Sequence, residues 1–188
     1  MNSSLASRSK RVYLTGFMGS GKSTIGPILA NSIGYNFVDV DHSIEMGEKK
    51  TVHEIFQQHG ETYFRALERA IIRELSSQDR FVISLGGGTL IDPINFEIIR
   101  TSGILVYLKT RPEHLLRRLH HKSDRPLLLN EAIGARLSSS DLRMRIQELY
   151  SQREPYYEKA DFTVQTDVTR VGITVDHILK RLSPYLRS

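Results

Sequence analysis

The residues Gly16-Phe17-Met18-Gly19-Ser20-Gly21-Lys22-Ser23 fit the pattern G-x-x-x-x-G-K-[ST], a spacing suited to wrapping main-chain N–H groups around a phosphate. Glycines permit a fold tight enough to aim several amides inward. A helix that follows adds the positive end of its dipole, and a lysine at this place reaches the outer phosphates. Gly19, Ser20, Gly21, Lys22, Ser23 and Thr24 are therefore the expected nucleotide-binding set, with the Ser23 hydroxyl as a ligand for Mg²⁺. An apolar segment precedes the pattern and a helix-compatible run follows it, as the pattern requires. The alternative is a glycine-rich turn that packs a helix on a strand. Such a loop does not say whether the nucleotide is hydrolysed to drive a motion, sensed, or used to phosphorylate something.

Acidic and basic residues downstream narrow the choice. In "DVD", Asp39 and Asp41 stand two residues apart, on one face if the segment is a strand. Two carboxylates beside a phosphate site can divide the work. Asp39 would support the Mg²⁺ shell together with Ser23, through water, while Asp41 would orient an incoming hydroxyl and accept its proton. The alternative for Asp41 is a helix cap ahead of "HSIEM". Gly86-Gly87-Gly88 closes another apolar run, exposing main chain to a ligand with no side chain in the way; a plain turn is the alternative. Arg65 precedes Glu68 by three residues, Arg125 lies in "DRPLL" and Arg153 in "QREPYYE". Together these residues describe a pocket for a small hydroxylated acid, held by its carboxylate while its hydroxyl faces the γ-phosphate of ATP.

Those residues need a scaffold, and the chain alternates short apolar runs with helical stretches. Candidate strands are 11–16, 36–41, 80–88, 103–109 and 161–166, several of them apolar on both faces as buried parallel strands are. In 60–77 the residues Phe64, Leu67, Ile71 and Leu75 form one apolar stripe, and 135–153 also reads as a helix. Strand and helix in alternation predict an α/β fold with a parallel sheet, whose ligands bind beyond the carboxyl ends of the strands.

With 188 residues and 39% hydrophobic content, a single domain over 11–188 is expected, preceded by a disordered tail at 1–10. No apolar run approaches the ~20 residues of a membrane span. The absence of cysteine fits a reducing compartment, and a cytoplasmic location is the expectation. The net charge of +5 comes from scattered basic residues, mostly arginine, without the clustered runs of a nucleic-acid binder. Small anionic ligands explain it better, because the guanidinium fork suits paired contacts to phosphate and carboxylate. No nucleic-acid or membrane partner is expected, and the protein is expected to be a monomer.

From about Lys10 to Leu182 the chain resembles the shikimate kinase family. The likeness rests on "GFMGSGKSTIG", "DVD", "FRALE", "SLGGG", "RPLL" and "REPYYE", in that order. It implies a three-layer P-loop NTPase fold with a five-stranded parallel sheet of order 2-3-1-4-5, and transfer of the ATP γ-phosphate, with Mg²⁺, to the 3-hydroxyl of shikimate. By the same resemblance Asp41, Arg65, Gly87 with its neighbours, and Arg153 would contact shikimate; Lys22 and Arg125 would neutralise the transferring phosphate. Arg118 would be the adenine-side arginine of a lid over 112–127, where His120 and His121 read as solvated residues rather than metal ligands. After "QTDVTR" the proline carried by many members is missing, so Arg170 is an uncertain match and adenine contacts near 167–170 stay unassigned. Other readings are a gluconate kinase-like or nucleotide kinase, and a non-catalytic nucleotide-binding module of the same fold.

Overall fold

Runs that are apolar at consecutive positions become central strands. The computed structural model describes residues 10–119, 138–167 and 170–186. In it, β1 (Arg11–Thr15) is buried throughout, and β4 (Ile104–Lys109) is buried except at its last residue. With β2 (Asn36–Asp39), β3 (Phe81–Ser84) and β5 (Phe162–Gln165) they form one parallel sheet in the order β2-β3-β1-β4-β5. Around it run α1 (Lys22–Ile33), α2 (Val40–Glu48), α3 (Val52–Ser76), α4 (Pro93–Ser102), α5 (Pro112–Leu119), α6 (Ser139–Tyr157) and α7 (Val171–Leu186).

Alternation along the strands produces two cores. Tyr13, Ile83, Leu105 and Tyr107 pack with Val40, Ile44, Ile55, Phe64, Ile99, Leu115 and Ile146, so α2 to α6 cover one face. Val12, Leu14, Val82, Val106 and Leu108 pack with Ile25, Leu29, Val175, Ile178 and Leu182, so α1 and α7 cover the other. Each such aliphatic side chain contributes about 1.5–3 kcal/mol by leaving water, and the sum makes the sheet a rigid platform.

Register then decides where the loops meet. Leu14 lies beside Ser84 and Thr15 beside Tyr107. The loops leaving β1 and β3 therefore emerge within one residue of each other at the carboxyl edge, where a doubly wound sheet binds its ligands, with β4 running two residues farther.

Several expected boundaries move. The second strand stops at Asp39, whose carboxylate accepts from His42 N and caps α2; Asp41 is in the first turn of that helix. The two carboxylates are thus not related by the pleat of a strand, and the cap, the alternative role for Asp41, falls to Asp39. β3 stops at Ser84, leaving Gly86–Gly88 in the loop beyond it. The helix expected over 60–77 starts earlier, at Val52, behind a reciprocal cap of Thr51 and Glu54, and Gly60 (φ 79°, ψ 172°) interrupts it. The one expected over 135–153 is observed from Ser139 and runs on to Tyr157. Residues 1–9 of the expected tail lie outside the described residues, whereas Lys10 pairs with Asp79 at 2.9 Å.

Candidate active site

The loop between β1 and α1 owes its shape to backbone that L side chains rarely adopt: Gly19 and Gly21 have φ of 81° and 108°. Gly21 caps α1, its carbonyl accepting from Thr24 N and Ile25 N at 3.0 and 2.8 Å. Lys22 Nζ donates to the carbonyls of Gly16 and Phe17 at 2.7 and 3.3 Å. Arg118, from α5, ties this loop to the end of β5 by donating to Gly19 O at 3.0 Å and Thr166 O at 2.8 Å. Thr166 Oγ1 adds a bond to Ser20 O at 2.9 Å and lies 2.6 Å from Thr110 Oγ1. The loop is thereby braced from β4 and β5 as well as from its own helix.

Ser23 Oγ donates to Asp39 Oδ2 across 3.4 Å, so a hydroxyl and a carboxylate stand together at the start of α1 and the end of β2. Among the described residues no group of three or more His, Asp or Glu could hold a metal ion. The donor set, two oxygens, fits Mg²⁺, which keeps several waters and takes its remaining ligands from substrate phosphates rather than from a protein cage.

The loop after β3 carries the most informative geometry. A Cβ placed on Gly86 would lie 2.7 Å from Asp41 Oδ1, on Gly87 3.0 Å from Arg153 Nη1, and on Gly88 2.8 Å from Arg65 Nη2. Three consecutive glycines thus let three charged side chains from α2, α6 and α3 crowd against one strip of bare main chain. Arg65 donates from Nη1 to Glu68 Oε2 at 2.9 Å, and from Nε and Nη2 to Glu61 Oε1 at 3.1 and 3.0 Å. Its guanidinium edge already receives a carboxylate, though Glu61 is 65% exposed and such a surface contact is weak. Glu68 has no exposed surface and is satisfied by Arg65 and by Thr89 Oγ1 at 2.5 Å. Burial disfavours charge on Arg65, but the carboxylates of Glu68 and Glu61 more than offset it, holding its pKa above the ordinary value.

Both halves open into one cleft of about 1370 Å³, lined by Gly19 to Thr24, Asp39, Asp41, Arg65, Gly86 to Gly88, Arg118 and Arg153. Arg125, His120, His121 and the outer part of the expected lid lie outside the described residues; its inner part, Pro112–Leu119, is helix α5. The sequence reading missed Thr166, Thr89 and Tyr157, single hydroxyls with no pattern around them. It also missed the wall formed by Val52, His53 and Phe56, although the spacing of Val52 and Phe56 was a readable signal.

Residues 18–183 match the family model described as shikimate kinase. The chain belongs to the shikimate kinase family. A shikimate kinase of Prosthecochloris aestuarii is 48% identical to it over 176 residues, 94% of this chain and 89% of that protein. The structure of shikimate kinase from Acinetobacter baumannii in complex with shikimate has 33% identity and a TM-score of 0.84 over 93% of each chain. A gluconokinase from Sinorhizobium meliloti, at 20% identity and a TM-score of 0.57 over 95% of this chain and 94% of that one, shares the fold and carries no argument about the acceptor.

Proposed function

We propose that this protein transfers the γ-phosphate of ATP to the 3-hydroxyl of shikimate, yielding ADP and shikimate 3-phosphate. The observation that carries the reading is the glycine strip. It gathers Asp41, Arg65 and Arg153 in the cleft that also holds the phosphate loop, so a small acid with a carboxylate and a hydroxyl can be gripped at one end and presented at the other. Membership of the family supplies the identity of that acid.

Arg65 and Arg153 hold the acceptor carboxylate by charge-assisted hydrogen bonds. Asp41 orients the hydroxyl and takes its proton as the new O–P bond forms. Lys22 and the amides of Gly19 to Thr24 offset charge on the β- and γ-phosphates, which is where catalysis of phosphoryl transfer lies. Arg125 is assigned to the same task, and Arg118 to the adenine side, by the resemblance. Ser23, and Asp39 through water, would hold Mg²⁺, which would supply positive charge to offset that of the phosphates.

An ADP-release assay over an acceptor panel tests the reading. Shikimate should be turned over with kcat/KM at least about a hundredfold above a nucleoside monophosphate, which leaves the arginine pair without a carboxylate, and above gluconate, whose flexible chain does not present one hydroxyl in a fixed place. Preference for another panel member would replace shikimate as the acceptor, and ADP release independent of every acceptor would point to a hydrolase.

A further inference from the structure

Tyr157 is only 1% exposed, and the phosphoryl-transfer chemistry has no use for it. Its hydroxyl donates to Gly87 O at 2.5 Å, and the guanidinium of Arg153, one turn earlier on α6, stands beside the same glycine: a Cβ on Gly87 would lie 3.0 Å from Arg153 Nη1 and 3.6 Å from the Tyr157 hydroxyl. A single phenol therefore joins two elements of the acceptor site, the glycine strip after β3 and α6. We propose that Tyr157 is a positioning residue for the acceptor: it fixes the Gly87–Gly88 peptide against the helix that carries Arg153. This rests on the reading of the cleft as a shikimate site.

Geometry gives the link its consequence. There is no cis peptide bond among the described residues, so in the Gly87–Gly88 peptide the C=O and N–H point opposite ways. Holding Gly87 O against α6 aims Gly88 N–H away from that helix and removes the freedom that three glycines in a row would otherwise have. On the other side, Arg153 has its guanidinium 3.0 Å from where a Gly87 Cβ would stand. The ring itself is held by packing on Tyr107, with centroids 5.3 Å apart; the Tyr107 hydroxyl turns elsewhere, to Tyr150 at 3.0 Å. A hydroxyl whose proton is committed to loop main chain, on a buried ring packed against another, is what preorganises a site built from loop backbone.

The test compares steady-state kinetics of Tyr157→Phe with Tyr150→Phe and wild type. Tyr150→Phe removes a hydroxyl from the same cluster but touches neither Gly87 nor Arg153. Loss of the Tyr157 hydroxyl should raise the KM for shikimate about tenfold, with the KM for ATP within about twofold. Tyr150→Phe should leave both KM values unchanged even where it lowers Tm. KM does not depend on the folded fraction, so a destabilised preparation still gives the reading. Should Tyr157→Phe fail to fold, Tyr157→Met, an apolar chain of adaptable shape, is expected to show the same split. An unchanged shikimate KM in the Tyr157 variant, or an equal rise in Tyr150→Phe, overturns the assignment. Wild type that does not use shikimate at all would instead overturn the function on which it rests.

Discussion

Asp39 and Asp41 show how two like residues, two positions apart, acquire different work. Asp39 ends a strand and caps the next helix through His42 N, with its other oxygen near Ser23, whereas Asp41 Oδ1 faces Gly86. Replacement should separate them. Asp41→Asn is expected to lower kcat by at least ~10²-fold with the KM for ATP and the Tm close to wild type, as for a group that orients the attacking hydroxyl. Asp39→Ala should cost about 1 kcal/mol of stability from the lost cap, in addition to any loss of metal-dependent activity. Thermal melting and kinetics on the same two preparations check both, and a destabilised but fully active Asp41→Asn would exchange the roles.

At the scale of elements, the loop after β3 lets Asp41, Arg65 and Arg153 come together because it lacks side chains. Gly86→Ala puts a methyl group 2.7 Å from Asp41 Oδ1 and 3.1 Å from both Glu68 Oε1 and Thr89 Oγ1. The mobile end of Asp41 is the part that can give way, so turnover should fall at least about tenfold while far-ultraviolet circular dichroism stays that of wild type; activity close to wild type would show that Asp41 has no fixed place there. Elements of this kind were partly legible in the sequence. The phosphate loop and its flanking strand and helix were readable because pattern and context coincide within one stretch of chain. The Gly86–Gly88 strip and the arginines were visible as residues, but their convergence depends on register between β1, β3 and β4, which no local pattern encodes. Asp41 was misplaced because "NFVDVD" continues a strand alternation that the cap at Asp39 breaks. Tyr157 and Thr166 were illegible, since each acts through one hydroxyl bonded to main chain 70 and 146 residues away.

For the whole molecule, ion pairs that tie distant elements set its response to acid. Asp92 caps α4 and pairs with Arg69 of α3 at 2.5 Å; Asp167, beyond β5, pairs with Arg111 at 2.6 Å. Burial raises both carboxyls, but the arginine hydrogen bonds and backbone N–H groups outweigh it and hold them below the ordinary 3.8. A carboxyl depressed in the folded state stabilises the fold above its unfolded value and loses that contribution as pH falls through the folded one. Tm should therefore be flat from neutrality to about pH 5 and drop below about pH 4. Asp92→Asn should lower Tm at pH 7 and make the acid limb shallower; an unchanged acid limb would remove Asp92 from this account. The same platform presents both halves of the cleft, and the central claim is that its acceptor half grips a carboxylate by planar guanidinium forks. The most direct measurement is kcat/KM for shikimate and for its methyl ester in wild type, Arg65→Lys and Arg153→Lys, which isolates the contact from general damage. Each lysine should weaken use of shikimate by roughly 1.5–3 kcal/mol, tenfold or more, and use of the ester far less. Equal discrimination between acid and ester in all three proteins would contradict the claim.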